Sequence, residues 1–214
     1  STGDFNAQIS ANQRGAQRLL SVVEDMGAEK YERALTHLNE YGDRLMLQLL
    51  RRIPVGVYHF EDVMDDDGLG AKDIKIKLSL TINNSEVIAN FAGTASQVTG
   101  NINCPLSVVA AAVYYVFRCL MPVNTPACFG VYRRIKIIAE HGSLINAIKP
   151  AAVAAGNVET STRLVDVVIG ALAQAVPEEL PAASHGSMNN VAMGAKTEGV
   201  SWNYYETIGG GMGG

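Results

Sequence analysis

The N-terminal quarter of the chain carries apolar residues at helical spacing, in two runs separated by a glycine. Residues 4–26 repeat apolar positions every three or four residues, and Asp4 is suited to cap the first turn. A second run covers residues 28–53, with Glu, Lys and Arg between the apolar positions, and Pro54 ends it. The pattern predicts a helical hairpin over residues 1–53, hinged at Gly27.

After Pro54 the period of the pattern changes to two, which is typical of strands. Residues 74–82 alternate most clearly, with Ile and Leu on one face and Lys, Ser and Thr on the other, and residues 57–64 and 86–91 also fit strands. Turn sequences separate the three segments, DDDGLG at 65–70 and NNS at 83–85. An antiparallel β-meander is therefore predicted.

Two later segments are apolar on nearly every side, which is typical of buried helices. They cover residues 106–121 and 157–176, and a weak alternation at 131–139 predicts a strand between them. Beyond Pro181 the chain is rich in Gly, Ser, Asn and Met, with short strand-like pieces such as 200–207. The predicted fold class is α+β: a helical hairpin, an antiparallel β-meander, two buried helices and a Gly-rich C-terminal tail, with residues 54–214 forming the α+β core of a single domain.

Composition narrows the functional classes. The 214 residues carry a net charge of −4, and the 17 basic residues are scattered, which disfavours nucleic acid as a partner. No apolar run approaches the roughly 18–20 residues that a membrane-spanning helix requires. Three cysteines without Cys-x-x-Cys spacing fit a reducing compartment. We therefore expect a cytoplasmic protein without a membrane or nucleic-acid partner.

The ends of the sequence suggest part of a longer polypeptide. The chain begins at Ser1 rather than Met, and its last six residues read GGGMGG. That run formally satisfies GxGxxG, but a dinucleotide site needs a helix after the glycines, and none follows. We expect residues 1–214 to be an interior to C-terminal fragment of a larger subunit.

Several residues that are able to carry chemistry have simpler explanations. The aspartates at 65–67 do not form a calcium loop, because position twelve is Ile76 instead of Glu, so a solvated turn is favoured. The four histidines show no metal-ligand spacing, and His185 is the best site candidate because it lies among polar loop residues. Cys104, at the start of a predicted helix, is either an activated thiol or a small buried residue.

Uncharged polar residues are unusually dense just before the two predicted buried helices. The sequence NINC at 101–104 precedes the first, and GNVETSTR at 156–163 opens the second, with Asn157 suited to cap it. Two interpretations remain open. The two helix N-termini can converge on a site for an anion or a carbonyl oxygen, or the residues can serve only capping and inter-helix hydrogen bonds.

Five motifs resemble those of one known family, in order along the whole chain. They are GDFNAQISANQRG at 3–15, GNINCPLSV at 100–108, AAGNVETSTRLVD at 154–166, SHGSMNN at 184–190 and YYETIGGGMG at 204–213. Together they resemble the B-type chain of the hydantoinase and 5-oxoprolinase family, which includes the alpha chain of acetone carboxylase. The resemblance covers an interior to C-terminal part of that chain.

The resemblance implies an ATP-dependent enzyme that opens a cyclic amide such as a hydantoin or 5-oxoproline. It implies an A-type partner that binds ATP and Mg, and therefore a hetero-oligomer. The family's Mn or Zn site is built from His and Asp upstream of this segment, so no metal is expected on these residues. The alternative is a structural or assembly domain of an acetone or acetophenone carboxylase-type complex, without catalytic activity of its own.

The matching motifs also imply roles for particular residues. Glu159 and His185 are the candidates for proton transfer. The candidates for substrate binding are Asn101, Asn103, Cys104, Asn157, Thr160, Ser161, Asn189 and Asn190. The sequence leaves open which substrate is used, which residue is the general base and whether this segment is active alone.

Overall fold

The computed structural model describes residues 2–197 and 199–210, and it begins with two long helices. Helix α1 spans Thr2–Met26 and α2 spans Ala28–Leu50, with Gly27 between them at φ 81°. The predicted helical pair hinged at Gly27 is confirmed, although α2 ends three residues before the predicted boundary. No described residue of α1 is buried, and α2 buries only residues in its C-terminal part, among them Met46, Leu49 and Leu50.

A four-stranded sheet follows. Strands β1 (Gly56–Asp66), β2 (Lys72–Ile82) and β3 (Val87–Asn90) form the predicted antiparallel meander. Strand β4 (Ile135–Ile138) lies parallel to β3 at the edge of the sheet. It is shorter than predicted because residues Phe129–Val131 form a 3₁₀ turn. A parallel neighbour requires a long crossover, and residues 91–134 supply it.

The hydrophobic core lies between one face of this sheet and two helices, α3 (Leu106–Cys119) and α4 (Ser161–Leu172). The alternating residues of β2 from Ile74 to Ile82 point into it, and each is almost fully buried. From the two helices, the same cluster of buried residues includes Val109, Val113, Val116, Phe117, Leu164, Val167, Val168 and Leu172. Because each large aliphatic or aromatic side chain buried in this way contributes about 1.5–3 kcal/mol, this layer is the main source of stability.

The start of α4 differs from the prediction. Residues Gly156–Thr160 form a π-helical turn, and Asn157 lies inside it without capping the helix. Gly156 packs against the backbone of Asn103, where a Cβ atom would overlap the carbonyl oxygen, and the Thr160 hydroxyl donates to the Ile102 carbonyl. Contacts with the preceding segment therefore determine the geometry of this turn, so Asn157 is not the expected N-cap.

The C-terminal region is more regular than a glycine-rich tail. Strands β5 (Asn189–Thr197) and β6 (Val200–Ile208) pair as an antiparallel hairpin whose described residues are all exposed. Alternate residues give the hairpin one largely apolar face, formed by Val191, Met193, Ala195, Val200, Trp202, Tyr204 and Ile208. Of the glycine run at 209–214, the last four residues lie outside the described part of the chain.

Within residues 2–197 and 199–210, no helix combines the length and the apolar character needed to cross a membrane.

The buried end of α2 is held by close backbone contacts. The Gly130 amide donates to Asn39 Oδ1 at 2.7 Å, and the Arg134 guanidinium binds the Asp43 carboxylate through two bonds of 2.7 and 2.6 Å. Gly130 leaves no room for a side chain, because a Cβ atom would overlap the Asn39 carbonyl. This contact joins α2 to the segment that leads into β4.

We expect Gly130→Ala to lower the free energy of unfolding by about 1–3 kcal/mol, because the new methyl group must displace α2. Gly15→Ala is the matched control, since no atom lies within 4 Å of a Cβ built at that helical glycine. It should leave stability unchanged or raise it by about 0.5–1 kcal/mol. Urea denaturation measures both, and an equal loss in the two variants would contradict the packing argument.

Candidate functional site

The two polar segments that precede α3 and α4 lie against each other. The Ala155 amide donates to the Asn101 carbonyl at 2.9 Å, and Thr160 and Gly156 contact residues 102 and 103 as described above. Most amides of the π-helical turn bond within their own chain segment, including those of Gly156, Val158 and Glu159. Inter-helix hydrogen bonding therefore accounts for much of this polar cluster, and the anion site expected at the helix N-termini is not formed by these amides.

Asn103 is one of the predicted substrate-binding residues that the fold uses internally. Its side chain is fully buried, and Nδ2 donates at 2.9 Å to three carbonyls, those of Val98, Gly100 and Ala152. Its Oδ1 accepts from the Val98 amide at 2.7 Å. Every hydrogen-bonding group of the amide is occupied by backbone, so Asn103 has a structural role in this fold, and substrate binding by it stays a prediction.

Cys104 and Thr160 are also buried, each with no exposed surface. Burial raises the pKa of the Cys104 thiol to about 12, which favours the buried alternative over the activated thiol. Thr160 uses its hydroxyl to bind the Ile102 carbonyl. Both side chains are enclosed by protein in this structure, and substrate binding by either stays a prediction.

Three other predicted residues, Asn101, Glu159 and His185, line one cleft of about 500 Å³. We call it the acidic cleft. Its walls are residues 64–68 from the end of β1 and the turn after it, residues 101–102, Ala155, Glu159 and Arg163 from the α4 region, and residues 185–187. The cleft thus brings together Asn101, Glu159 and His185, each of which comes from a different sequence motif.

Glu159 and His185 line the acidic cleft from two segments of the chain, the π-helical turn before α4 and the loop at 184–187. The Ser187 hydroxyl donates to Glu159 Oε1 at 3.0 Å, which orients the carboxylate. His185 is exposed, and its imidazole packs against the backbone of Gly210, where a side chain would overlap the ring. A carboxylate and an imidazole beside a common solvent-filled space can accept and donate protons to a bound ligand.

Among the described residues that line the cleft, Arg163 is the only lysine or arginine. Its Nη1 binds Asp62 of β1 at 2.6 Å, and a Cβ atom at Gly186 would lie only 2.7 Å from its Nη2. The cleft lining also includes the carboxylates of Asp65, Asp66, Asp67 and Glu159. The cleft therefore carries a net negative charge.

The aspartate run is only partly a solvated turn. Asp65 and Asp66 are exposed as expected, but Asp67 is buried. Its carboxylate accepts amide hydrogen bonds from Gly100 at 2.9 Å, Leu69 at 2.8 Å and Ala71 at 2.9 Å. These amides, Gly100 first, hold the pKa of Asp67 below its ordinary value. Asp67 thus ties one wall of the cleft to the segment that carries Asn101.

The remaining predicted residues lie away from the acidic cleft. Asn157 and Ser161 line a separate, mainly apolar groove between α3 and α4, and Ser161 Oγ donates to the Asn157 carbonyl at 2.7 Å. Asn189 and Asn190 are in β5, where Asn190 Oδ1 accepts from the Thr207 hydroxyl at 2.9 Å. Neither pair is among the residues that line the acidic cleft.

Sequence reasoning did not select Arg163, Asp62 or Ser187 as site residues. Arg163 lies four residues after Glu159, and this spacing places both on one face of a helical segment, so it was recognisable in principle. No local pattern marks Asp62, because its partner is 101 residues away.

Over residues 2–197 and 199–210, no three side chains from His, Cys, Asp and Glu are grouped so that they could hold a metal ion.

Comparison with known proteins gives a consistent result. The family model described as hydantoinase B/oxoprolinase matches residues 1–214. The chain is 34% identical over 216 residues to an uncharacterized protein of Methanocaldococcus jannaschii, covering 99% of this chain and 36% of that protein. It is 34% identical over 224 residues to 5-oxoprolinase 1 of Arabidopsis thaliana, covering 98% of this chain and 17% of that protein. It is 31% identical over 223 residues to a protein assigned as the B component of a D-/L-hydantoinase in a Pseudomonas species, covering 99% of this chain and 37% of that protein.

Two solved structures share the fold. The ATP-dependent caprolactamase from Pseudomonas jessenii superposes with a TM-score of 0.76 at 26% identity, over 94% of this chain and 39% of that one. A nucleotide-free acetone carboxylase superposes with a TM-score of 0.65 over 82% of this chain and 25% of that one. At 15% identity, the second similarity concerns the fold alone. The chain spans little more than a third of the bacterial and archaeal relatives' length, and less of the plant one.

Asp67 provides a pH-dependent test of the cleft wall. We expect Asp67→Asn to lower the urea midpoint at pH 7, because the amide group replaces one accepting oxygen with a donor. The native pKa is lowered, so the carboxylate's stabilisation is present above the unfolded pKa, about 3.9, and is lost as the pH falls through the native pKa. The urea midpoints of the wild type and Asp67→Asn should therefore become equal in acid. Asp65→Asn, an exposed neighbour, should match the wild type throughout, and a pH-independent deficit in Asp67→Asn would contradict this account.

Proposed function

Because the chain belongs to the hydantoinase B/oxoprolinase family, we propose that it is part of the B-type subunit of an ATP-dependent hydrolase that opens a cyclic amide. The observation that carries the proposal is the acidic cleft, where Glu159 and His185 line the same space. The relatives named as a 5-oxoprolinase and as the B component of a hydantoinase support the reaction class. The caprolactamase, whose name also describes ATP-dependent action on a cyclic amide, supports it independently.

An unstrained cyclic amide is a poor electrophile because its nitrogen lone pair is delocalised into the carbonyl. In the proposed system, an A-type partner uses ATP and Mg to phosphorylate the amide oxygen, which makes the carbon susceptible to water. The described residues of this chain would bind the ring, accept a proton from water and donate a proton to the leaving nitrogen. We derive no step from a metal ion, since those residues form no cluster of metal-binding side chains.

Each cleft residue has a role that follows from its position. Glu159, oriented by Ser187, is suited to accept a proton from the attacking water. His185, which lines the same cleft, is suited to protonate the departing ring nitrogen. Asn101 is exposed at the cleft and can bind an amide group of the ring. Arg163 reduces the repulsion among the surrounding carboxylates while it remains paired with Asp62.

The proposed activity is cytoplasmic and belongs to a hetero-oligomer. The three cysteines are all free, which agrees with a reducing compartment. The Pseudomonas relative is named as one component of its enzyme, which supports association with a second type of chain. Assays of the complete enzyme with ATP against a hydantoin, an N-methylhydantoin, 5-oxoproline and a ketone would identify the substrate class.

An assembly role is the alternative, and the exposed apolar surface favours it specifically. Tyr204 and Tyr205 belong to a hairpin whose described residues all remain exposed, and α1 buries none of its described residues. Two-stranded hairpins are marginally stable in water unless another surface covers them. In this alternative the segment holds a carboxylase-type complex together and does not catalyse.

We expect Glu159→Gln and His185→Asn each to lower kcat by about 10²–10⁴-fold in the complete enzyme, the range for losing a general acid or base. The matched controls are Glu178→Gln and His141→Asn, which change the same residue types at exposed positions outside the cleft. Steady-state turnover of the cyclic amide with ATP measures all four.

The two roles predict opposite results for a second pair of variants. If the catalytic variants retain normal turnover while Tyr204→Ala and Tyr205→Ala prevent the association of the two chain types in gel filtration, the assembly role is correct and the catalytic assignment fails. If turnover falls in the cleft variants and their chains still associate, the catalytic assignment stands.

A further inference from the structure

Helix α4 and the π-helical turn before it present a row of polar side chains to the short segment that carries His185. Glu159, Thr162, Arg163 and Asp166 occupy positions i, i+3, i+4 and i+7 and therefore share one face. All four contact residues 184–187, which we call the histidine loop. The loop is thus attached along two turns of a helix that is itself anchored in the core.

Asp166 makes the attachment farthest from the cleft. Only 5% of its surface is exposed, yet none of the described cations forms an ion pair with it. Its Oδ1 accepts from the Ser184 amide at 3.0 Å, and its Oδ2 accepts from the Ser184 hydroxyl at 2.9 Å. A buried carboxylate is costly unless hydrogen-bonded, so these two bonds strongly favour one position of Ser184.

Ser184 transmits this constraint across His185. Its Oγ also accepts from the Gly186 amide at 3.0 Å, so one hydroxyl joins Asp166 to the residue after the histidine. The Thr162 hydroxyl lies 3.1 Å from the Gly186 carbonyl, although its one proton has a shorter contact with the Glu159 carbonyl, at 2.8 Å. The loop ends with Ser187 bonded to Glu159. The backbone is therefore attached on both sides of His185, whose imidazole packs against the backbone of Gly210.

We propose that Asp166 is a positioning residue, which acts through Ser184 to hold His185 at the acidic cleft that Glu159 also lines. This inference depends on the proposed function, in which His185 transfers a proton. Errors of about 1 Å in the placement of a catalytic group can cost about a hundredfold in rate, so a fixed loop backbone has a direct catalytic consequence. A purely structural attachment would instead affect stability without changing kcat selectively.

The test uses Ser184→Ala as the mild variant, with Asp166→Asn as the second. Ser184→Ala removes the shared hydroxyl but leaves the amide bond to Asp166 in place. Ser184→Thr retains a hydroxyl and serves as the rescue variant. Ser143→Ala is the matched control, because Ser143 is also hydrogen-bonded through Oγ, to the Glu140 carbonyl at 2.7 Å, but does not line the cleft.

Amide hydrogen exchange of the complete enzyme, resolved to residues 184–187 by mass spectrometry, measures the attachment without depending on activity. We expect the Gly186 amide to exchange about tenfold faster in Ser184→Ala, which corresponds to the loss of one hydrogen bond. In Asp166→Asn the Ser184 amide should also lose protection. Ser184→Thr should remain protected, and Ser143→Ala should leave the histidine loop unchanged.

Turnover by the same enzymes measures the consequence. We expect kcat to fall about 10- to 100-fold in Ser184→Ala and Asp166→Asn with KM for the cyclic amide unchanged, and to recover in Ser184→Thr. An unprotected loop in the wild type, or an equal loss of kcat in Ser143→Ala, overturns the positioning role. Faster exchange with normal kcat overturns it too, and if His185→Asn is also fully active, the proposed function fails with it.

Discussion

The arrangement of the site depends on one close backbone contact, between Gly156 and residues 103–104. A side chain at position 156 would overlap the Asn103 carbonyl, so only glycine permits the two segments to meet. The neighbouring hydrogen bonds depend on this approach, including Ala155 to Asn101, Thr160 to Ile102 and Asn103 to Ala152. Two helices that are far apart in sequence are thereby joined at their first turns.

This contact divides the polar residues of the region into two groups with different roles. Asn103 and Thr160 face the junction, and their side chains form hydrogen bonds to buried backbone carbonyls. Those on the other side, Asn101 and Glu159, remain accessible at the acidic cleft. Residues of both kinds alternate within the same short motifs, since neighbouring positions of a tight turn point in different directions.

The distribution of buried surface is uneven along the chain. The sheet, α3 and α4 enclose a continuous core, whereas α1 and the C-terminal hairpin expose apolar residues such as Leu20 and Tyr205. Exposed apolar surface of this extent is typical of segments that contact other protein surfaces. The relatives are longer than this chain by a factor of more than two.

Local periodicity was sufficient to predict the helices and the antiparallel strands of the core. The alternation in β2 and the apolar runs of α3 and α4 each imply a buried face, and the structure confirms the α+β fold. The C-terminal hairpin was recognised only in part, because pairing between its strands is not visible in either strand alone. The same holds for β4, whose short alternation gives no sign that it lies parallel to β3.

The sequence by itself determined which residues are able to form hydrogen bonds or transfer protons, and Asn101, Glu159 and His185 are among them. Only the tertiary structure decided which of these groups stay free. Asn103, Cys104 and Thr160 have suitable chemistry but are fully buried, while Asp62 and Asp67 acquire their roles from partners distant in sequence. A side chain's chemistry is a local property, whereas its exposure and its partners depend on residues that only folding brings near.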